Sequence, residues 1–431
     1  MALTVLVALV FTSMSPATAL AYALGNRVLV YGSRGQDVAQ LQTLLVEAGY
    51  SPGTPDGVFG RQTLAAVRAF QFDSSLTVDG IAGPRTIRAL RAAVLPPSPP
   101  SPPPPPVPPT PPTPPTQPGR LMVMGYYDQN WSGDQDAWNS LAAHAKQMDF
   151  VSPFWFSVAT DGSVSNRGWN WSQVVQTSHA AGTKVLALFN NANGDDTVLQ
   201  SAASRQAAAA NIAVGVTQYG LDGAVLDFES LAQSDRSRLT ALITDLASRL
   251  HASGKLLAVA VGPQWSPDLS LNDGAAAYDY AAIGKVADYL QIMTYDQHTL
   301  AGAAGPIAAV SWVDDVAHFA VSQVPAAKIL LGIAAYGYEW PPHDQWGVVY
   351  AKDAAGLAAS KGAAINWDDT AQEPNFTYKD GSGIGHTVWF ENSWAVAPKL
   401  QVAQKYGLAG VALWRLGQED DRLWTVLPAG Q

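Results

Sequence analysis

Asp227 and Glu229 stand one residue apart in the run Asp222-Gly223-Ala224-Val225-Leu226-Asp227-Phe228-Glu229. Along a β-strand alternate side chains share a face. If Leu226 and Phe228 turn toward surrounding helices, Val225, Asp227 and Glu229 turn the other way. Two carboxylates then meet at the C-terminal end of one strand. Like charges that close resist joint ionisation, so a proton is shared or one pKa rises. A raised pKa on Glu229 is what a general acid requires near neutral pH. By spacing alone, the pair fits a strand-end turn with two solvated acids equally well.

Two other strand ends offer partners. Gln291-Ile292-Met293-Thr294-Tyr295-Asp296 puts Met293 and Tyr295 on one face, so the Tyr295 hydroxyl can enter the same mouth. Val411-Ala412-Leu413-Trp414 ends in an indole, which can stack on the apolar face of a sugar. Separately, each is an ordinary packing residue. Their coincidence with the acids at one rim is the informative observation.

These positions require a scaffold that gathers strand ends. Eight apolar runs occur after residue 120: Leu121–Tyr127, Phe150–Val158, Lys184–Phe189, Gly223–Phe228, Leu256–Val261, Tyr289–Tyr295, Ile329–Ala335 and Val411–Trp414. Helical patterns such as Leu239–Leu250 and Val310–Val324 separate them. This repetition predicts an α/β fold, a (β/α)₈ TIM barrel, whose chemistry sits at the C-terminal strand ends. A doubly wound open sheet is the rival. The long seventh interval predicts a small insertion at Tyr336–Thr387, with a hairpin around Asp380-Gly381-Ser382-Gly383.

Pro96–Pro118 holds more than half of the chain's 30 prolines. Such a stretch predicts a stiff polyproline II spacer about 70 Å long at ~3.1 Å per residue. The expected layout is a leader at 1–23, a first unit at 26–94, a linker at 95–120 and a barrel at 121–431. The leader is apolar with small-residue cleavage sites but lacks a basic start. It predicts export, with an uncleaved anchor as the alternative. In the first unit, Asp56-Gly57-Val58-Phe59-Gly60-Arg61-Gln62-Thr63 recurs as Asp79-Gly80-Ile81-Ala82-Gly83-Pro84-Arg85-Thr86. Each copy is a turn leading into a helix. A further helix at Asp37–Glu47 completes a three-helix bundle.

Composition narrows the chemistry. The chain has no cysteine, which removes disulfides, thiolate nucleophiles and cysteine zinc sites. Its seven histidines form no HExxH pair. No metal or organic cofactor is expected. A net charge of −10 argues against nucleic acid as a partner. The chain is expected to work as a monomer, without membrane contact beyond an N-terminal anchor.

The segments GSRGQDVAQLQTLL, DGVFGRQTLAAVRAFQ and LTVDGIAGPRTIRAL resemble the peptidoglycan-binding domain type 1 family. The larger unit resembles glycoside hydrolase family 18. The family's fourth-strand DGxDxDxE is matched by Asp222, Gly223, Asp227 and Glu229. Its MxYD is matched by Met293, Tyr295 and Asp296, and its eighth-strand Trp by Trp414. Val225 replaces the motif's middle Asp, which implies altered pKa coupling.

The resemblance implies a substrate-assisted retaining mechanism. Glu229 is the proton donor, Asp227 the acetamido-stabilising carboxylate and Tyr295 a donor to the acetamido oxygen. Trp414 floors the subsite. Tyr126, Asn190, Met293, Asp296 and Glu391 are further candidate substrate contacts; Asp222 and Gly223 belong to the motif's structural part. The expected substrate is an N-acetylglucosamine-containing glycan, foremost peptidoglycan. A chitinase lined by Trp131, Trp155, Trp169, Trp171 and Trp340 is one alternative. A non-catalytic glycan-binding protein is the other.

Overall fold

The computed structural model describes residues 24, 28–74, 76, 78–94, 120–130, 133–272, 274–342 and 347–428. The expected leader at 1–23 and the proline-rich run Pro96–Pro118 lie outside the described residues, as does Trp131. The chain divides into two compact units. Among the described residues no helix is long and apolar enough to cross a membrane.

The first unit has helices Gln36–Glu47, Arg61–Asp73 and Pro84–Val94. Val38, Leu41, Leu45, Phe59, Val67, Phe70, Ile87 and Leu90 form its core, all nearly inaccessible to water. The sequence echo has a structural basis. The Gln42 amide donates to Asp56 Oδ1 (2.9 Å), Val58 O (3.1 Å) and Thr63 Oγ1 (3.1 Å), and accepts from Gly57 N (2.9 Å). Gln71 repeats this set with Asp79 (2.7 Å), Ile81 (2.9 Å), Thr86 (3.1 Å) and Gly80 (2.8 Å). Each buried amide therefore ties a DG turn to the helix after it.

The larger unit is a closed barrel. Its strands are β1 (Met122–Tyr127), β2 (Phe150–Val158), β4 (Lys184–Asn191), β5 (Gly223–Asp227), β6 (Leu256–Val261), β7 (Tyr289–Ile292), β8 (Ile329–Ala334) and β14 (Gly410–Trp414). A short strand β3 (Val164–Asn166) pairs with the end of β2. The order β1-β14-β8-β7-β6-β5-β4-β2 closes by pairing β1 with β2, all parallel, which excludes the open sheet. Alternation along β5 places Ala224, Leu226 and Phe228 in the outer core and Val225 in the barrel interior with Met124, Leu188, Ala260 and Ala412.

Aspartates just before three strands fix the register at the opposite end. Asp149, Asp222 and Asp288 accept the backbone N–H of Val123 (2.8 Å), Val185 (2.8 Å) and Leu257 (2.8 Å) on the neighbouring strand. Asp222 also meets His179 at 2.8 Å. It thus serves strand assembly, far along β5 from the mouth. Gly223 beside it must lack a side chain, because a Cβ there would lie 2.2 Å from Leu256 O.

The insertion is larger than the expected hairpin. Strands β9 (Tyr336–Trp340), β10 (Val348–Tyr350), β11 (Asn366–Asp368), β12 (Glu373–Lys379) and β13 (Gly385–Phe390) form an antiparallel sheet ordered β10-β9-β13-β12-β11. Helix Ala351–Ser360 packs on it through Ala354 and Ala358, against Phe376, Val388 and Phe390. The expected turn at Asp380–Gly383 does join β12 to β13.

Candidate active site

A cavity of about 500 Å³ opens at the C-terminal ends of the barrel strands. It is lined by Tyr126, Asp227, Glu229, Met293, Tyr295, Asp296 and Trp414, together with Tyr278, Gln291 and Tyr336. Seven residues singled out from the sequence therefore share one space.

Each wall has a local cause. Strand β5 ends at Asp227, and Glu229 lies two residues on, before Ser230 at φ 58°. Asp227 is buried, whereas the Glu229 side chain is open to the cavity. The side-chain amide of Asn191 bonds both Glu229 N (2.9 Å) and Glu229 O (2.9 Å), holding that turn. Tyr295 is not in a strand as expected, because β7 stops at Ile292. The chain then turns inward: Thr294 Oγ1 donates to Gly332 O at 2.5 Å, and Asp296 adopts φ 59°. Gly332 permits the close approach; a Cβ there would lie 2.4 Å from Ile292 O and 3.0 Å from the Tyr295 ring. The Trp414 ring stands edge-on to Tyr126, centroids 5.2 Å apart. Tyr126 Oη in turn donates to Gln291 Oε1 at 3.0 Å.

Electrostatics follow from this crowding. Burial, then the Glu229 charge, push the Asp227 carboxyl well above the usual carboxylate range. Glu229 is raised by burial and then by Asp296. Burial raises Asp296 too, while hydrogen bonds from Tyr336 Oη (2.6 Å) and Tyr338 Oη (2.9 Å) pull it down. Tyr295 is held far above its normal range by burial, then by Tyr126, Asp227 and Glu229, so it stays a hydroxyl donor. The site thus holds two carboxyl groups of raised pKa and a neutral phenol. Asp227 Oδ1 is buried with no protein hydrogen-bond partner among the described residues. The same is true of Asn190 Oδ1, on the residue paired with Asp227 in register; Asn190 does not line the cavity.

Glu391 is a correction. It is fully buried, accepts from Ala334 N at 3.0 Å and is ion-paired with the buried Lys399. Lys399 also meets buried Glu373 at 3.0 Å. This triad fastens the inserted sheet to the barrel, and Glu391 cannot reach a ligand in the mouth. Residues the sequence reading missed are Asn191, Tyr278, Tyr336 and Tyr338. Tyr336 and Tyr338 sit in the Ala-Tyr-Gly-Tyr stretch at 335–338, whose period-two tyrosines were the available signal.

A parallel barrel with paired acids and aromatic rings at its C-terminal mouth is the framework of a glycoside-cleaving enzyme. Residues 122–419 match the description "Glycosyl hydrolases family 18", and the chain belongs to that family. It is a glycoside hydrolase. Residues 34–90 match "Putative peptidoglycan binding domain". The "Putative sporulation-specific glycosylase YdhD" of Bacillus subtilis is 30% identical over 302 residues, 68% of this chain and 70% of that protein. The cortical fragment-lytic enzyme of Bacillus anthracis is 31% identical over 254 residues, covering 56% of this chain and 59% of its own length. Among solved structures, a chitinase from Chromobacterium violaceum superposes with a TM-score of 0.65 at 32% identity, covering 71% of this chain and 98% of that one.

Proposed function

We propose that this enzyme cleaves peptidoglycan on the reducing side of N-acetylglucosamine, by a substrate-assisted retaining mechanism. The observation that carries the reading is the sharing of one cavity by Glu229, Asp227, Tyr295 and Trp414. Trp414 supports the sugar whose bond is cut. Glu229 gives its proton to the glycosidic oxygen, and the leaving sugar departs as an alcohol. The substrate's own acetamido oxygen attacks the anomeric carbon, forming an oxazolinium ion. Asp227 Oδ1 accepts the acetamido N–H and offsets the developing positive charge; Tyr295 donates to the acetamido oxygen. Glu229, now a carboxylate, removes a proton from water as that water opens the ring.

The unit at 34–90 supports a wall substrate, and the expected leader supports export to it. Digestion of purified peptidoglycan followed by mass spectrometry should find N-acetylglucosamine at the new reducing ends. Muramic acid there would overturn the specificity. Similarity to the C. violaceum chitinase favours chitin as a second reading. Faster turnover of chitin oligomers than of wall glycan would select it. Among the aromatics expected to line a chitin groove, however, Trp155 and Trp340 are buried and Trp171 packs on Tyr219 at 5.0 Å. Trp169 stays exposed.

A further inference from the structure

A second cavity, of about 560 Å³, adjoins the first. Asp128, Gln129, Asn130, Phe154, Trp155, Arg167 and Trp169 line it. The two are contiguous through side chains: the Phe154 ring lies 6.1 Å from that of Trp414, and Asp128 is ion-paired at 2.9 Å with Arg415, the residue after Trp414. The second cavity therefore meets the first at Trp414.

Its chemistry is distinctive in a chain of net charge −10. The amides are engaged within the wall: Gln129 and Asn130 donate to Asp134, and Asn130 Oδ1 accepts from Arg415. Arg415 is committed to Asp128. Arg167 differs. Its guanidinium lies over Phe154, 5.5 Å from the ring centroid; it feels the Asp128 charge but takes no side-chain carboxylate within ion-pair distance among the described residues. It is exposed, and two residues away stands Trp169, 56% exposed. A guanidinium lying over a ring, near Asp128 but hydrogen-bonded to no carboxylate there, is suited to two-point recognition of a carboxylate.

Resting on the proposed reaction, we infer that Arg167 reads the anionic substituent of the muramyl residue next to the reacting sugar. If N-acetylglucosamine sits on Trp414 with its scissile oxygen at Glu229, the glycan runs away from Glu229 over Phe154. Sugars alternate in peptidoglycan, so the neighbour there carries a lactyl group at O3. Chitin has no charge at that point. Arg167 is thus a specificity-determining residue that favours wall glycan over chitin, with Trp169 as an uncharged platform serving both.

The test uses the full chain and three soluble substrates. These are glycan strands stripped of peptide, strands with peptides attached, and chitin oligosaccharides. Arg167→Gln should lower kcat/KM about tenfold on muramyl strands and leave chitin oligomers unchanged. Loss on stripped strands identifies the lactyl carboxylate as the ligand; loss only on peptide-bearing strands identifies the peptide carboxylates. Trp169→Ala should weaken both glycan classes. Equal loss on chitin, or no loss on any muramyl strand, overturns the inference. The inactive Glu229→Gln protein, with and without the Arg167 change, gives the same comparison by binding. Failure of the wild type to cleave muramyl strands would sink the proposed function, while this binding comparison would still judge Arg167.

Discussion

The Asn191 side chain grips Glu229 by its backbone at both polar atoms, N and O, each at 2.9 Å. Strand β4 thereby sets where the carboxyl of the next strand's turn can stand. Asn191→Ala should reduce kcat about 10²-fold with KM nearly unchanged, because a small misplacement of the donor costs reaction geometry before binding. Steady-state kinetics on a soluble oligomer checks this; an unaltered kcat would remove Asn191 from the site's support.

Asp296 makes a distinct prediction about pH. The donor must be protonated, so turnover falls as pH rises through the Glu229 pKa. That pKa is raised by burial and then by the Asp296 charge. Asp296→Asn removes the second cause while the cavity persists. The alkaline limb of the kcat/KM profile should move to lower pH, and an unmoved limb would show that Asp296 has no hold on Glu229.

Asp227 should cost the fold stability in return for its function. Its folded pKa lies well above the unfolded value of about 4. The folded state therefore binds its proton more tightly than the unfolded state. This contribution is fully present below about pH 4 and is lost as pH rises through the folded pKa. Asp227→Asn should abolish most turnover yet raise the barrel's Tm at pH 8 by roughly 2–4 °C, with the gain shrinking toward pH 4. Melting curves of both proteins across that range decide it.

The Glu373–Lys399–Glu391 triad sits wholly out of water. Burial lowers the Lys399 pKa, opposed by Glu373. Replacing Lys399 with Met strands two buried carboxylates, a loss of about 3–5 kcal/mol. Urea unfolding should register it. A change under about 1 kcal/mol would mean that the acids simply take up protons.

The first unit offers an independent test. Gln42 and Gln71 each satisfy a turn and a helix start with one amide. Gln42→Ala leaves several buried groups unpaired, at about 1–3 kcal/mol each. A scanning calorimetry trace should lose the first unit's transition, with the barrel's retained, and wall-pelleting should drop with it.

The recurrence of apolar runs carried the barrel, and alternation along β5 carried Asp227, with Glu229 two residues past the strand's end. Alternation carried Tyr295 for the wrong reason: that side chain reaches the mouth through a break after Ile292, which Gly332 on the adjacent strand permits. The inserted sheet was legible only at its Asp380 turn, since β10 and β11 are three residues each and too short to show a pattern. Glu391 misled for a related reason. Its partner Lys399 lies across a fold boundary that no local spacing reports. Asn191 was hidden beside Asn190, because nothing in two adjacent amides says which one faces a backbone.

Val225 has a consequence for proton traffic. It lies directly below Asp227 on the inward side of β5 and is completely dry, among Met124, Leu188 and Ala258. Where an acid at 225 would extend a relay toward the barrel's middle, this chain has a stopper. The two carboxyls above it form a closed reservoir, and any proton they gain or lose must pass through the mouth that admits the sugar. In an occupied mouth the glycan and the attacking water should therefore be the proton partners of the two carboxyls until product leaves.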